Sequence, residues 1–297
     1  MSDFSRIELS YAGGDGHAVA HPVRFLGFPG GERHVWIGEG AGGAGRAYTI
    51  DARIYSSDAV MDLLLLNDAL RRVAGEGAAV TLRLPYLPYA RQDRVTVAGE
   101  PLSVKVFCTL INAMKFDRVV VADPHSTVAP ALLDRVEIES AEGFLGQVLA
   151  LPEFAGGVAL VAPDAGAHKR VLALGERFGA PVVCCAKLRN TATGKLSGAR
   201  VLDEVPDLPL LVVDDICDGG GTFVALVALL RRHSDRTLGL YVTHGLCTKG
   251  VAPLRDYARL YTAYPRDPRA LDAARRHLPG HRRGAAGGHR GVNPNPH

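Results

Sequence analysis

LLVVDDICDGGGTF, residues 210–223, runs from an apolar segment through paired acids and three glycines into a second apolar segment. Leu210, Leu211, Val212 and Val213 predict a short buried strand of the parallel-sheet kind. Asp214 and Asp215 follow at its carboxyl end. Asp218, Gly219, Gly220, Gly221 and Thr222 then lead into a helix, FVALVALLRR. Open α/β sheets build their sites at strand ends in this way. Glycines let a backbone approach an anion, and successive amides at a helix start form a positive nest for phosphate. Aspartates above that loop accept hydrogen bonds from sugar hydroxyls or hold a hydrated Mg²⁺. The stretch therefore reads as a pocket for a phosphorylated sugar. No Lys follows the glycines, which excludes a Walker A loop, and acids that precede the glycines exclude a dinucleotide fingerprint. A strand-to-helix turn whose acids merely cap the helix is the plainer alternative.

Outward from that stretch, strands and helices alternate. Asp58 is expected to cap a helix running to about Ala74, with Met61, Leu64 and Leu65 on its buried face and Gly75 ending it. AAVTLRLPY (78–86) reads as a strand, LSVKVFCTLINAMK (102–115) as a helix and DRVVVADPHS (117–126) as a strand. VALVAPDAGAHKR (158–170) is strand, acidic turn and helix, APVVCCAKLRN (180–190) a strand with a basic exit, and TLGLYVTHG (237–245) a further strand. Residues 1–50 are glycine-rich, with alternation at 33–37 suggesting strands. The pattern predicts an α/β protein of two stacked units with central, mainly parallel sheets flanked by helices. The expected division is 1–140 and 141–280, followed by a disordered, solvated tail at 281–297.

A chain of 297 residues accommodates two ordinary domains, and 47% hydrophobic with 22% charged residues describes a globular protein. A formal charge of +3 argues for no nucleic-acid partner. The opening MSDFSRIELS has no apolar signal core, and LLLL at 63–66 is too short to span a membrane. Five cysteines without zinc-like spacing suit a reducing compartment, so the expected location is cytoplasmic.

Polar chemistry collects at the strand exits. Tyr89 to Arg94 joins two guanidiniums to an amide, a composition that suits a polyphosphate chain as well as an exposed salt-bridged loop. Asp123 and His125 could hold a metal directly or through water, or be structural. Asp164 sits in a Pro-Asp-Ala-Gly turn and is a turn-former or a ligand. Lys187 and Arg189 are a solvated pair or an anion site. Together they describe a Mg²⁺–polyphosphate site beside a sugar-phosphate site.

These segments resemble a known family. Asp-Asp followed by Asp-Gly-Gly-Gly-Thr is similar to the ribose-phosphate motif of type I phosphoribosyltransferases and phosphoribosyl pyrophosphate synthetases. LPYLPYARQDR resembles the synthetases' PYxxYARQDR segment, DPHS their Asp-x-His metal turn, APDAGAHKR their Pro-Asp-x-Gly segment and KLR their catalytic Lys-x-Arg. All fall in family order over about residues 25–250. The resemblance implies two tandem phosphoribosyltransferase-type domains and diphosphoryl transfer from MgATP to ribose 5-phosphate. It assigns Lys187 and Arg189 to the transferred diphosphate, and Arg91, Gln92, Asp93 and Arg94 to ATP. His125, Asp123 and Asp164 go to Mg²⁺, with Asp164 also facing substrate. Asp214 and Asp215 take the ribose hydroxyls, and Asp218, Gly219, Gly220, Gly221 and Thr222 the 5-phosphate. It also implies a homo-oligomer in which Phe28 and Glu32 meet a neighbour's ATP.

Departures from the pattern open alternatives. Phe28-Pro29-Gly30-Gly31-Glu32 has Gly30 where the family's adenine-binding segment carries Asp, Val95 follows Arg94 where a basic residue is common, and Gly219 replaces the first Thr of the phosphate loop. Loss of that hydroxyl, and of its bulk, suits a 5-substituted ribose phosphate such as ADP-ribose as a rival acceptor. A phosphoribosyltransferase and a non-catalytic regulatory partner are the other classes. The Arg91 loop and Lys187-Leu188-Arg189 weigh against the first, and Lys187, Arg189, His125 and the Asp214–Asp215 pair against the second.

Overall fold

The computed structural model describes residues 4–14, 17–42, 47–75, 77–189 and 196–269, and of 187–189 and 196–198 the backbone alone. The expected tail at 281–297 lies outside the described residues. The first half runs β1 (Arg6–Ala12), β2 (Ala18–His21), β3 (Val23–Gly27), β4 (Arg33–Ile37), β5 (Ala47–Arg53), α1 (Ser57–Ala74), β6 (Ala79–Arg83), α2 (Ser103–Ala113), β7 (Arg118–Ala122), α3 (Val128–Leu132) and β8 (Val136–Glu139). The second runs α4 (Glu142–Leu149), β9 (Ala159–Ala162), α5 (Ala165–Phe178), β10 (Val182–Arg189), β11 (Leu196–Val201), β12 (Leu210–Cys217), α6 (Gly221–Leu230), β13 (Leu238–Gly245) and β14 (Arg259–Pro265).

Each half is built on a six-stranded sheet, ordered β2-β1-β5-β6-β7-β8 and β11-β10-β9-β12-β13-β14. Strands β5 to β8 are parallel, with β1 and β2 added antiparallel at one edge. In the second sheet β10, β9, β12, β13 and β14 are parallel and β11 is the antiparallel edge. This is the mixed α/β architecture expected. The alternation at 33–37 is β4, which pairs with β3 in a separate hairpin.

Two local expectations are corrected. Ser56, not Asp58, caps α1: its extended backbone lets the hydroxyl accept the Ala59 N–H, while Asp58 lies in the first turn. The buried face of α1 carries Ala59, Asp62, Leu63, Leu66, Asn67 and Leu70, one stripe of helical period, and Met61 on the other side is 46% exposed. Leu63, Leu66 and Leu70 are fully buried, and each such side chain contributes about 1.5–3 kcal/mol. Asp62 lies within that face because Arg33 of β4 grips both its carboxylate oxygens, at 2.8 and 2.6 Å. The hairpin is thereby fastened to α1. Gly75 ends the helix, as expected, with φ of 86°.

β12 continues beyond the apolar run. Its acids lie inside the strand rather than after it, because β13 pairs with β12 as far as Cys217 opposite Gly245. β9 pairs with β12 only over Leu210–Val212. Past Val212, a crevice opens between β9 and β12, where the strand order reverses direction. Ligands of open α/β sheets bind at such reversals.

The two sheets meet strand end to strand end. His244 of β13 lies 2.9 Å from the Ala122 carbonyl at the end of β7, and Tyr264 of β14 donates to Glu139 of β8 at 2.8 Å. The His244 ring stacks on Tyr264 and receives Tyr86 edge-on, and Arg53 lies over Tyr264. Carboxyl ends of both sheets therefore face one space. Among the described residues no helix is long and apolar enough to cross a membrane.

Candidate active site

That space is a cleft of about 800 Å³. On one side the loop after β12 turns into α6. Gly220 has φ of 76° and occupies the N-cap, a conformation that glycine adopts without strain. A Cβ at Gly221 would meet nothing within 4 Å, and one at Gly219 only the Lys249 side chain at 3.5 Å. Bare amides at a helix start thus border the cleft beside Thr222 and Asp218. Asp164 caps α5 by accepting the Gly166 N–H at 3.1 Å, and it lines the cleft as well.

Asp214 and Asp215 stand against Arg170 of α5, which reaches Asp214 at 2.8 Å and Asp215 at 3.5 Å. The other arm of that guanidinium holds Asp123 at 3.1 and 3.2 Å. His125 Nδ1 lies 2.6 Å from Asp215. Burial, with Asp215 alongside, pushes Asp214 up to about 8. Burial would raise Asp215 too, but the His125 hydrogen bond and the Arg170 charge hold it below the ordinary carboxylate range. The same hydrogen bond raises His125. The site thus carries one readily ionised and one reluctant carboxyl, side by side.

Asp123 and His125 part company. Asp123, with φ of 38°, is buried, and its carboxylate accepts from Arg170 and from the Thr243 hydroxyl. It stands behind Arg170 and does not line the cleft, whereas His125 does. Expected metal residues Asp123, His125 and Asp164 are accordingly not gathered into one cluster; among the described residues no group of three such ligands is.

The arginine loop divides similarly. Arg91, Asp93 and Arg94 line the cleft, and Arg91 spans to Asp218 at 2.9 Å. Gln92 instead lines a neighbouring cavity of about 340 Å³ with Tyr55, Tyr86, Tyr89 and Arg266. Phe28 and Glu32, at the turn between β3 and β4, are exposed and line neither. Lys187 and Arg189 lie in β10, but their side chains lie outside the described residues.

Arg170 is the functional-looking residue that sequence reasoning passed over. Its signal was present: three strand-end acids require a buried cation, and position 170 lies one helical turn from buried Ala167 and Leu174.

Residues 20–114 match the N-terminal domain of ribose phosphate pyrophosphokinase. The chain is similar to proteins named ribose-phosphate pyrophosphokinase. It is 33% identical to the enzyme of that name from Mycoplasma pneumoniae over 67% of this chain and 60% of the other. It is 32% identical to that of Hyphomonas neptunium over 64% of this chain and 61% of the other. The chain thus spans about three fifths of the curated relatives it matches. The crystal structure of phosphoribosylpyrophosphate synthetase from Mycobacterium smegmatis superposes with a TM-score of 0.74 at 23% identity, covering 88% of this chain and 86% of that one. That likeness shows the fold, two phosphoribosyltransferase-type units in tandem.

Proposed function

We propose that the protein is a ribose-phosphate pyrophosphokinase, transferring the β,γ-diphosphate of ATP to the anomeric hydroxyl of ribose 5-phosphate. The observation that carries this reading is that one cleft holds both a glycine-rich phosphate loop and an arginine loop, joined by the Arg91–Asp218 contact. The anomeric oxygen attacks the β-phosphorus, the bond from that phosphorus to the α-phosphate oxygen breaks, AMP leaves and the hydroxyl proton passes to solvent. Such transfer rests on positioning and charge neutralisation.

Amides of residues 219–222 cradle the 5-phosphate, with Thr222 beside them. Asp214 and Asp215 receive the ribose hydroxyls. Arg91 and Arg94 supply charge to the polyphosphate, and Lys187 and Arg189 are assigned to the transferred group. In this reading the half up to about residue 140 brings ATP, and residues 141–280 bring the sugar.

Mg²⁺ fits the residues present. The cleft's described walls carry Asp93, Asp164, Asp214, Asp215 and Asp218 against Arg91, Arg94, Arg170 and His125. An anionic substrate would meet an excess of oxygen donors, which suits a hard cation carried in on its phosphates. With Nδ1 turned to Asp215, His125 leaves Nε2 for such a cation, and Asp164 offers a carboxylate. When bound, the ion neutralises charge on the β- and γ-phosphates.

The test is incubation with MgATP and ribose 5-phosphate, read by phosphorus NMR, with ADP-ribose as a parallel acceptor. AMP plus a new anomeric diphosphate from ribose 5-phosphate supports the reading. The same products from ADP-ribose alone move the acceptor, and AMP from neither overturns pyrophosphokinase activity.

A further inference from the structure

Cysteines far apart in sequence meet beneath the phosphate loop. Cys217 closes β12 and immediately precedes Asp218, while Cys247 follows β13 and immediately precedes Thr248. Their backbones join directly, the Cys247 N–H donating to the Cys217 carbonyl at 2.9 Å. The two thiols are neighbours, and each shifts the other's ionisation. Both are free, so the pair is a dithiol. The following residues repeat the link: Thr248 donates to Asp218 through its amide at 3.1 Å and its hydroxyl at 2.8 Å.

We infer that Cys217 and Cys247 form a modification site, a dithiol that low-molecular-weight disulfides convert reversibly to a disulfide. The two positions differ in access. Cys217 is wholly buried in the second sheet's core, and Cys247 is partly exposed. Cys247 is therefore the attacking thiol. The neighbouring Cys217 thiol holds it below the ordinary thiol range. In the first step the Cys247 sulfur, having given its proton to solvent, attacks one sulfur of the reagent and expels the other half as thiolate. In the second, the Cys217 sulfur, losing its proton to that thiolate or to solvent, attacks the Cys247 sulfur and expels the second half. One small disulfide becomes two small thiols, and two cysteines become one cystine.

Closing the bond draws the sulfurs to about 2.05 Å, well inside thiol hydrogen-bonding separation. Movement at Cys217 passes to the loop directly, because its sulfur lies 4.0 Å from where a Cβ at Gly220 would stand. The glycine loop shifts, and its hold on phosphate weakens. A misplacement of about 1 Å at such a site is worth roughly 10²-fold. This consequence rests on the phosphate-loop reading above, whereas the bond itself does not.

The experiment equilibrates the full-length protein with oxidised and reduced glutathione at graded ratios. It then quantifies Cys217–Cys247 linked peptides by mass spectrometry and ribose 5-phosphate binding by calorimetry. Expected are a linked peptide two mass units lighter than its thiol parents, binding weakened at least about tenfold, and recovery of both on reduction. Cys247→Ser should abolish the linked peptide and keep its affinity under oxidation; its partly exposed position spares the fold if Cys217→Ala does not. Oxidation of other cysteines with no 217–247 link overturns the proposal, as does equal sensitivity of Cys247→Ser. A linked peptide without any ribose 5-phosphate binding in the reduced protein would instead count against the acceptor reading alone.

Discussion

Arg91 Nη1 lies 2.9 Å from Asp218 Oδ2, although 127 positions separate the two residues in the chain. One stands on the loop after β6 and the other on the loop after β12, so the contact crosses from the first sheet's strand ends to the second's. Thr248 holds the other oxygen of Asp218 at 2.8 Å. On the proposed reading, a polyphosphate entering the cleft would offer Arg91 oxygens that replace those of Asp218, coupling occupation of the ATP side to the freedom of the phosphate loop.

Replacing Arg91 by Ala should therefore injure catalysis and spare the fold. Both partners are about half exposed, at 50% and 42%, and pairs of that kind contribute only about 0–1 kcal/mol. The melting temperature should move by less than about 4 °C. Removing a fixed positive group from a developing charge costs about 10²–10³ in rate. Steady-state kinetics beside a thermal melt would check both halves; an intact kcat/KM for ATP would remove Arg91 from the site.

Arg170→Met should do the reverse, striking stability first. Its guanidinium serves Asp123, Asp214 and Asp215 while itself three-quarters buried. Leaving those carboxylates without their cation costs about 3–5 kcal/mol, a fall on the order of 10 °C in melting temperature. The loss should shrink as pH falls, because the orphaned acids regain protons. Arg170→Lys should recover part of the stability but misplace Asp214, raising KM for ribose 5-phosphate more than it lowers kcat. Melts from pH 5 to 8 and a KM-against-kcat comparison would show it.

What the sequence made legible was local. Strand, acids, glycines and helix start in residues 210–223 needed only periodicity and glycine chemistry, and the fold class followed from their repetition. The misses were tertiary. Asp123 and His125 are near neighbours in the chain, yet the left-handed backbone at Asp123 turns its carboxylate back towards Arg170 and Thr243. The length of β12 depended on β13, and the Cys217–Cys247 meeting depended on the register between those strands. Gln92 and Arg91 adjoin but face different cavities, a division that no spacing rule announces. The Asp58 and Met61 errors are of another kind, each a slip around one helical turn.

The acid pair sets a pH dependence of stability with a definite sign. Asp214 has its carboxyl raised from 3.8 to about 8 on folding, chiefly by burial. A group raised in this way stabilises fully below its unfolded value, and its contribution is lost as pH climbs towards the folded value. His125, raised by its hydrogen bond to Asp215, loses its contribution above 6.5 in the same direction. With divalent cations chelated, stability should therefore decline from about pH 4 to pH 8. Asp214→Asn should flatten most of that decline, and His125→Asn only its upper part. Denaturant midpoints at pH 5, 6, 7 and 8 would check the slope, and a flat wild-type profile would sink the argument.

Gly219 and Gly220 should respond oppositely to a side chain. At Gly220 the φ of 76° and a Leu254 methyl 3.3 Å from the added Cβ make alanine strained, at about 1–2 kcal/mol. At Gly219 a Cβ meets Lys249 at ordinary contact distance, so threonine fits. Its hydroxyl would add a donor to a bound monoester phosphate. A hydrogen bond to a charged group is worth about 1.5 kcal/mol, or roughly tenfold in affinity. Calorimetry with ribose 5-phosphate should find Gly219→Thr tighter than wild type. If it binds more weakly, the loop takes something other than a terminal phosphate.

Phe28 and Glu32 supply the last prediction. They sit on an exposed turn, with Phe28 at 52% exposure, and line neither cavity of their own chain. We predict that they serve ATP in a neighbour's cleft. Mutants Phe28→Ala and Asp214→Asn would each be inactive alone. Mixed under conditions that exchange subunits, they should regain activity, because some interfaces then pair an intact turn with an intact cleft. The recovered fraction should follow the mixing ratio and peak near equal amounts. Separate inactivity with no recovery, in a sample shown by light scattering to contain mixed oligomers, would place Phe28 in its own chain's chemistry. Full activity of Phe28→Ala would remove that turn from ATP binding altogether.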